Sequence, residues 1–385
     1  MKIVLAFDSF KESLGAAEVA ASFADGLRRV LSDAEIVTVP IADGGEGTLA
    51  ALTDAHKTSL ETVEVQDALG APLIAHYGVL DDGLTAVIEV AEAIGLDKVP
   101  AARRSPLITS SYGVGQMILA GLAGGRSRFV VGLGGSATVD GGAGMLQALG
   151  ARFHDAGGAV MPVPLTGGQL ADIAAVDLSG LDRRLGQSLI DIACDVDNPL
   201  CGPRGAAAVF GPQKGATPSD VARLDAGLRH LYDLLEAAVG RSVAALPGAG
   251  AAGGLGAAFL LALNGRLRPG VEMVMETVGL AGHLTGATVV VTGEGRVDEQ
   301  TLSGKAPAGV ATLARALGIP VIAVGGSVEA VQLLWRAGLF DAVESAVTRP
   351  CSVAEALHDA RVNLEDAGIR IGMWLKFRSR VNQSL

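Results

Sequence analysis

Short apolar runs that stop abruptly at glycine or at a charged residue constrain this chain most. Lys2–Phe7 stops at Asp8, Glu35–Pro40 at Ala42-Asp43-Gly44-Gly45-Glu46-Gly47, and Phe129–Leu133 at Gly134-Gly135-Ser136. Thr288–Thr292 stops at Gly293-Glu294-Gly295-Arg296, and Pro320–Val324 at Gly325-Gly326-Ser327. Helical periods lie between such runs. Val19, Phe23, Leu27 and Val30 form one face of a helix that Gly15 caps, with Glu18 three residues on. Strand, helix, strand, helix in this order predicts a parallel α/β sheet covered on both faces. Near residue 60 the texture changes: Leu60–Gln66 and Leu73–Leu80 alternate like antiparallel strands. The α/β pattern returns near residue 287. The predicted architecture is therefore a Rossmann-like doubly wound parallel sheet from residues 1–60 and 287–385, with a second α/β domain, 61–286, inserted between them. The basic tail after Trp374 reads as frayed.

Composition narrows the function classes. Glycine accounts for 53 of 385 residues, roughly twice the usual share. The net charge is −11, which argues against nucleic acid as a partner for the chain as a whole. Ser105–Gly125 and Gly248–Leu263 lack charge but are diluted by polar or small residues, so they read as buried helices and no membrane partner is expected. Three cysteines (Cys194, Cys201 and Cys351) are too few for a disulfide scaffold and lack zinc spacing, and the N-terminal strand does not read as a signal peptide. A cytoplasmic location is expected. The histidines are scattered without an i, i+4 pair.

Glycine turns beyond strand ends let backbone N–H groups face an anion, so several together point to a phosphorylated ligand. Gly132–Ala137 matches the dinucleotide fingerprint in form, but a helix reads only from about Met145, too late for that fold. No Walker A motif exists; Gly304-Lys305 lacks its partners. Along Leu189–Val196, alternation puts Asp191, Asp195 and Asp197 on one face. Asp195 there suits a general base or a Mg²⁺ ligand, while Asp197 or Asn198 reads equally well as a turn cap. Glu294 and Asp298 either bind metal or pair with Arg296. Lys11, Lys214, Arg296 and Lys305 stand out as cations in glycine-rich surroundings, where an isolated charge needs a partner.

Taken in order, these stretches resemble the bacterial glycerate kinase type 1 family. The resemblance rests on Ala6–Lys11, Ala42–Thr48, Gly132–Thr138 with Asp140–Gly144, Ala193–Val196 with Asn198–Leu200, Phe210–Ala216, Pro247–Gly254 and Thr292–Arg296. Glu12 departs from it, standing where the family usually has glycine. The resemblance implies the glycerate kinase I fold, with two α/β domains around a cleft, and ATP- and Mg²⁺-dependent phosphorylation of D-glycerate to 2-phosphoglycerate. On this reading Asp195 takes the hydroxyl proton. Arg296 and Lys11 hold the glycerate carboxylate or the phosphoryl group, with Lys214 and Lys305 as second choices. Gly134, Gly135, Ser136 and Thr138, with Gly141–Gly144, cradle phosphates, and Asp43, Glu46 or Glu294 lie near Mg²⁺. Asp8, Ser9, Gly44, Gly45, Asn198, Gly293 and Gly295 complete the binding loops. A 3-phosphoglycerate product, an NAD-dependent dehydrogenase and a non-catalytic binding module are the alternatives, and homo-oligomerisation is left open.

Overall fold

The structure is a computed structural model that describes residues 1–44, 48–49, 51–52, 59–302 and 304–383, with side chains to 378. Gly45 and Glu46 lie outside the described residues. The described strands of the first half are β1 (Lys2–Phe7), β2 (Glu35–Thr38), β3 (Ser59–Gln66), β4 (Pro72–Val79), β5 (Thr85–Glu89) and β6 (Arg128–Gly132). Those of the second half are β7 (Arg152–His154), β8 (Ala175–Asp177), β9 (Leu189–Ala193), β10 (Arg266–Arg268), β11 (Val289–Val297), β12 (Val321–Val328) and β13 (Ala342–Ser345). The described residues fall into two compact units. One comprises those of Met1–Asp43, Ala50–His56 and Val271–Leu385, the other those of Gly44–Leu49 and Lys57–Gly270. The helices Gly270–Thr277 and Leu280–Leu284 thus belong almost wholly to the first unit, whereas the sequence reading assigned them to the insert.

The first unit holds a five-stranded parallel sheet in the order β13-β12-β11-β1-β2. Ile3, Val4, Leu5, Ala6 and Phe7 are all fully buried, as expected of a central strand covered on both faces. Ile3, Leu5 and Phe7 pack with Val19, Phe23 and Leu27 of the helix Ala16–Val30. Each such side chain contributes about 1.5–3 kcal/mol on burial. The C-terminal helix Ala360–Gln383 docks on the same core through Leu364, Ala367 and Ile371. The two helices touch main chain to main chain: a Cβ on Gly26 would fall 1.9 Å from the Glu365 carbonyl oxygen, and one on Gly368 would fall 2.2 Å from that of Phe23. The helix continues past Trp374 to Gln383, with Leu375 in the same core and Lys376 Nζ donating to the Val30 carbonyl at 3.2 Å, so the frayed tail expected from sequence is corrected.

β1 connects forward to β2 on one side, while β11, β12 and β13 build outward on the other, so the strand order reverses between β1 and β11. In open α/β sheets, ligands bind beyond the carboxyl ends of the strands at such a reversal.

Two of the sequence-predicted turns are strand. β11 continues through Gly293–Arg296 and β12 through Gly325–Ser327, with Glu294 registered against Gly325 and Arg296 against Ser327. Glycine is required there by main-chain proximity. A Cβ on Gly293 would lie 1.9 Å from the Val324 carbonyl oxygen, and one on Gly326 would lie 2.6 Å from that of Gly295.

The second unit carries a six-stranded sheet, β10-β9-β6-β5-β4-β3, and a small β7–β8 ribbon. β5, β6, β9 and β10 are parallel, and β3–β4–β5 antiparallel. The helix Pro218–Val239 begins with Thr217 and Asp220 capping each other and buries Leu224, Leu228, Leu231 and Leu235, the face read from sequence. Among the described residues, no helix is long and apolar enough to cross a membrane.

Candidate active site

In the second unit, β5, β6 and β9 end in register, with Glu89 beside Gly132 and Gly132 beside Ala193. The Gly134–Thr138 turn therefore leaves the same sheet edge as Asp195, two residues past β9. Gly44 lies over that edge. It has φ of +90°, and a Cβ there would fall 2.5 Å from Gly270 Cα and 2.9 Å from Ala193 Cβ. A side chain on Gly132 would likewise press to 3.2 Å from the Gly44 carbonyl oxygen. β9 stops at Ala193, so the alternation expected through Asp197 does not hold. Asp191 pairs with Arg266, exposed Asp195 accepts the Gly270 N–H at 2.9 Å, and Asp197 pairs with Arg204. Asn198 donates to the Arg204 carbonyl at 2.8 Å, bracing its own loop as a turn residue would.

The Gly134–Thr138 turn is anchored from below. Lys214, 2% exposed, donates from Nζ to Ser136 Oγ at 3.0 Å and to the Thr138 carbonyl at 2.8 Å. Burial pushes its ammonium down to about 7, with the Asp140 charge opposing. Lys214 is thus an internal brace in this structure, where sequence reading made it a second choice for phosphate. Asp140 is fully buried and accepts from Ser111 N and Oγ, both at 2.7 Å, and from the N–H groups of Gly142 and Gly144. Burial raises its carboxyl above the ordinary range, against those bonds. Gly141–Gly144, expected to cradle phosphates, lies in the interior. A Cβ on Gly142 would fall 2.4 Å from Ala258 Cβ, and one on Gly144 would fall 2.1 Å from Ser110 Oγ. These glycines serve packing. The following helix begins at Ala143, so the Gly132–Ala137 fingerprint lacks the helix that a dinucleotide site requires.

In the first unit, the chemistry gathers at the β1/β11 reversal. Asp8 N–H donates to the Gly293 carbonyl at 3.0 Å, which sets Asp8 beside Glu294. Asp8 is 5% exposed and accepts the Ser9 N–H at 2.7 Å. Burial, then the charge of Asp43, pushes its carboxyl up to about 7; Glu294 adds to this, while the Ser9 N–H and the Lys11 charge oppose it. Glu294 accepts from Thr301 Oγ1 at 2.7 Å and from Lys305 Nζ at 2.9 Å. Exposed Arg296 is shared between Asp298 at 3.0 Å and Glu329 at 2.8 Å. Lys11 is exposed at the tip of a tight turn closed by paired Phe10 and Leu14 hydrogen bonds. Gly295 has room: a Cβ there would meet Phe10 Cα at 3.5 Å.

A model of the glycerate kinase family matches residues 3–376. The chain belongs to the glycerate kinase family. It is 47% identical over 365 residues to the glycerate kinase of Bacillus cereus (strain ATCC 10987 / NRS 248), covering 95% of each chain. It is 44% identical over 381 residues to the glycerate 2-kinase of Escherichia coli (strain K12), covering 99% of each. A crystal structure of a Salmonella typhimurium LT2 protein superposes with a TM-score of 0.89 at 44% identity, over 100% of both chains. Membership makes the chain a kinase with a mixed α/β fold.

Sequence reasoning missed Glu89, which takes the Leu49 N–H at 2.7 Å at the end of β5. Its signal was a lone acid closing an apolar strand. The interior role of Asp140 was also missed, because nothing local marks a carboxylate that folding will surround with four donors.

Among the described residues, no group of three or more His, Cys, Asp or Glu side chains is placed to hold a metal. The donor chemistry nonetheless fits Mg²⁺, which takes one or two carboxylates together with phosphate and water. Asp8, Asp43 and Glu294 are oxygen donors whose mutual repulsion a cation would relieve.

Proposed function

We propose that this chain transfers the γ-phosphoryl group of ATP to the 2-hydroxyl of D-glycerate, giving 2-phosphoglycerate and ADP. The observation that carries the reading is the edge of the second unit's sheet. There a glycine turn held by a buried lysine and an exposed carboxylate leave adjacent parallel strands at the same end. Phosphoryl transfer asks a protein for this combination, a seat for phosphate oxygens beside a group that can take the proton of the attacking hydroxyl. The glycerate kinase and glycerate 2-kinase names of the relatives support the substrate and the 2-position.

In this proposal the Gly134–Thr138 turn seats ATP phosphates. Asp195, its carboxylate oriented by the Gly270 N–H, accepts the hydroxyl proton as the substrate oxygen bonds to the γ-phosphorus and the bond to the leaving ADP oxygen breaks. Lys11 is the first cation for a substrate carboxylate or phosphoryl oxygen. Arg296 ranks behind it, since its guanidinium is already shared by two carboxylates. Lys305 neutralises Glu294. Asp8 or Asp43 would supply one or two carboxylate ligands to Mg²⁺, which when bound neutralises phosphate charge. We place the reaction in the cytoplasm, a reading supported by three unpaired cysteines.

The test is a single-turnover reaction with ATP, Mg²⁺ and D-glycerate, with the product read by ³¹P NMR. Phosphorus on the 2-oxygen couples to one proton and gives a doublet, whereas on the 3-oxygen it couples to two and gives a triplet. A triplet would move the assignment to 3-phosphoglycerate. No new phosphate ester would remove the substrate assignment altogether.

A further inference from the structure

The sequence reading made Lys214 a second choice for phosphate, a task its enclosed position in the structure does not allow directly. The lysine is 2% exposed and comes from a short 3-10 turn, Pro212–Lys214, 78 residues from Ser136. A cation so enclosed cannot reach a ligand without leaving its seat, and a buried charge persists only with good partners. Its partners are two points of one turn: the hydroxyl of Ser136 and the carbonyl of Thr138. Asp140, whose charge acts on Lys214, is held by four donors and fixes the chain just after that turn.

The turn is also held by its backbone: Leu96 N–H donates to the Gly135 carbonyl and Ala137 N–H to the Ile94 carbonyl, both at 2.8 Å, and Thr109 Oγ1 donates to the Ala137 carbonyl at 3.1 Å. Gly135 is exposed with φ of +71°, and Gly134 is half-buried. A bridge between Gly95 and Ser136 ties one side. Ser136 Oγ accepts from Lys214, which leaves its own O–H to donate; among the described residues that hydrogen meets no acceptor. Thr138 Oγ1 is buried and also meets no partner there. Thr138 is fully enclosed, so of the two hydroxyls only that of Ser136, 6% exposed, is left to donate to a ligand oxygen.

We propose that Lys214 is a positioning residue for the phosphate-seating turn: by clamping Ser136 and Thr138 together it fixes the turn's backbone and directs the Ser136 hydroxyl as a donor to a phosphate oxygen of the nucleotide. The inference rests on the nucleotide reading above and deepens it. Lys214 acts through Ser136 and touches no phosphate. Its effect therefore falls on nucleotide affinity and leaves glycerate affinity in place.

The experiment titrates ATP with Mg²⁺ into the wild-type chain, Lys214→Met, Ser136→Ala and the double variant by calorimetry, with Tm and circular dichroism to verify folding. Each single variant is expected to weaken ATP binding about tenfold or more, the scale of losing a hydrogen bond to a charged partner. The double variant should be no weaker than Lys214→Met alone, because the two residues act in series. KM for D-glycerate should stay within about twofold of wild type; a merely structural role would instead reduce the active fraction and leave both affinities unchanged. Folded Lys214→Met with wild-type ATP affinity, or single effects that multiply, overturns the proposal. If Lys214→Met does not fold, Ser136→Ala decides: weakened ATP binding supports the clamp and wild-type binding overturns it. A wild-type chain that fails to bind ATP sinks the nucleotide reading itself, which the variants alone cannot do.

Discussion

Replacing Asp8 by asparagine should stabilise the protein, and by more at high pH than at low. The Asp8 carboxyl is raised from 3.8 to about 7, first by burial and then by the charge of Asp43. The unfolded chain gives up this proton near pH 4 and the folded chain holds it to about pH 7. Over that window the folded state binds more protons, so stability falls as pH rises and the full penalty stands above pH 7. Linkage with those two values gives a penalty of about 1.7 kcal/mol at pH 5 and about 4 kcal/mol at pH 8. Asp8→Asn removes the titrating group, and its side-chain oxygen can still accept the Ser9 N–H. Its amide needs a partner, which offsets part of the gain at every pH. The quantity to measure is the variant's advantage as a function of pH, which should widen by about 2.5 kcal/mol between pH 5 and pH 8. At about 2–4 °C per kcal/mol for a unit of 150–250 residues, the Tm difference should grow by roughly 5–10 °C. Differential scanning calorimetry without Mg²⁺ at the two pH values checks it. A Tm difference independent of pH would refute the raised carboxyl, and a variant that loses stability at pH 8 would reverse the sign of the argument. Adding Mg²⁺ should then raise the Tm of the wild-type chain more than that of the variant.

Asp195→Asn should lower kcat by about 10²–10⁴-fold with Tm nearly unchanged, since Asp195 is exposed; a folded variant keeping most of its kcat rules out the base assignment. Glu12 holds φ of +64°, a left-handed conformation costly for any side chain, so Glu12→Gly should gain about 0.5–1 kcal/mol in urea unfolding, and a loss would show that the carboxylate contributes contacts of its own. Gly293→Ala should destabilise by about 3 kcal/mol or more, because its Cβ would meet a carbonyl oxygen at 1.9 Å. Gly295→Ala, whose Cβ has 3.5 Å of clearance, should fold normally, and equal damage from the two would contradict the strand assignment.

The Glu12 position shows how far local reading can go. The departure from the family's usual glycine was visible in the letters, and the structure supplies the reason: a two-hydrogen-bond turn from Phe10 to Leu14 that forces a positive φ at its tip. Helix Pro218–Val239 and strands β3 and β4 were similarly legible, because a one-sided apolar period is a local property of the chain. The glycine segments were not. Gly293–Arg296 and Gly325–Ser327 read as ligand turns and form paired strands, and Gly141–Gly144 reads as a cradle and packs under two helices. Glycine permits close approach, but the letters do not say whether a ligand, a neighbouring strand or a helix does the approaching.

The sequence alone determined the periodicities, the strand ends at which charge is concentrated and the family to which they belong, since each is carried by residues near one another in the chain. Tertiary structure alone decided which charges are usable. Lys11 and Lys214 look alike as isolated cations beside glycine, yet one is exposed at a turn tip and the other is enclosed and bonded to residues 76 and 78 positions away. Asp8 and Asp195 each follow an apolar strand, yet only the first is enclosed near two other carboxylates. Desolvation and through-space charge set the proton affinity of such groups, and both depend on neighbours that only folding brings near.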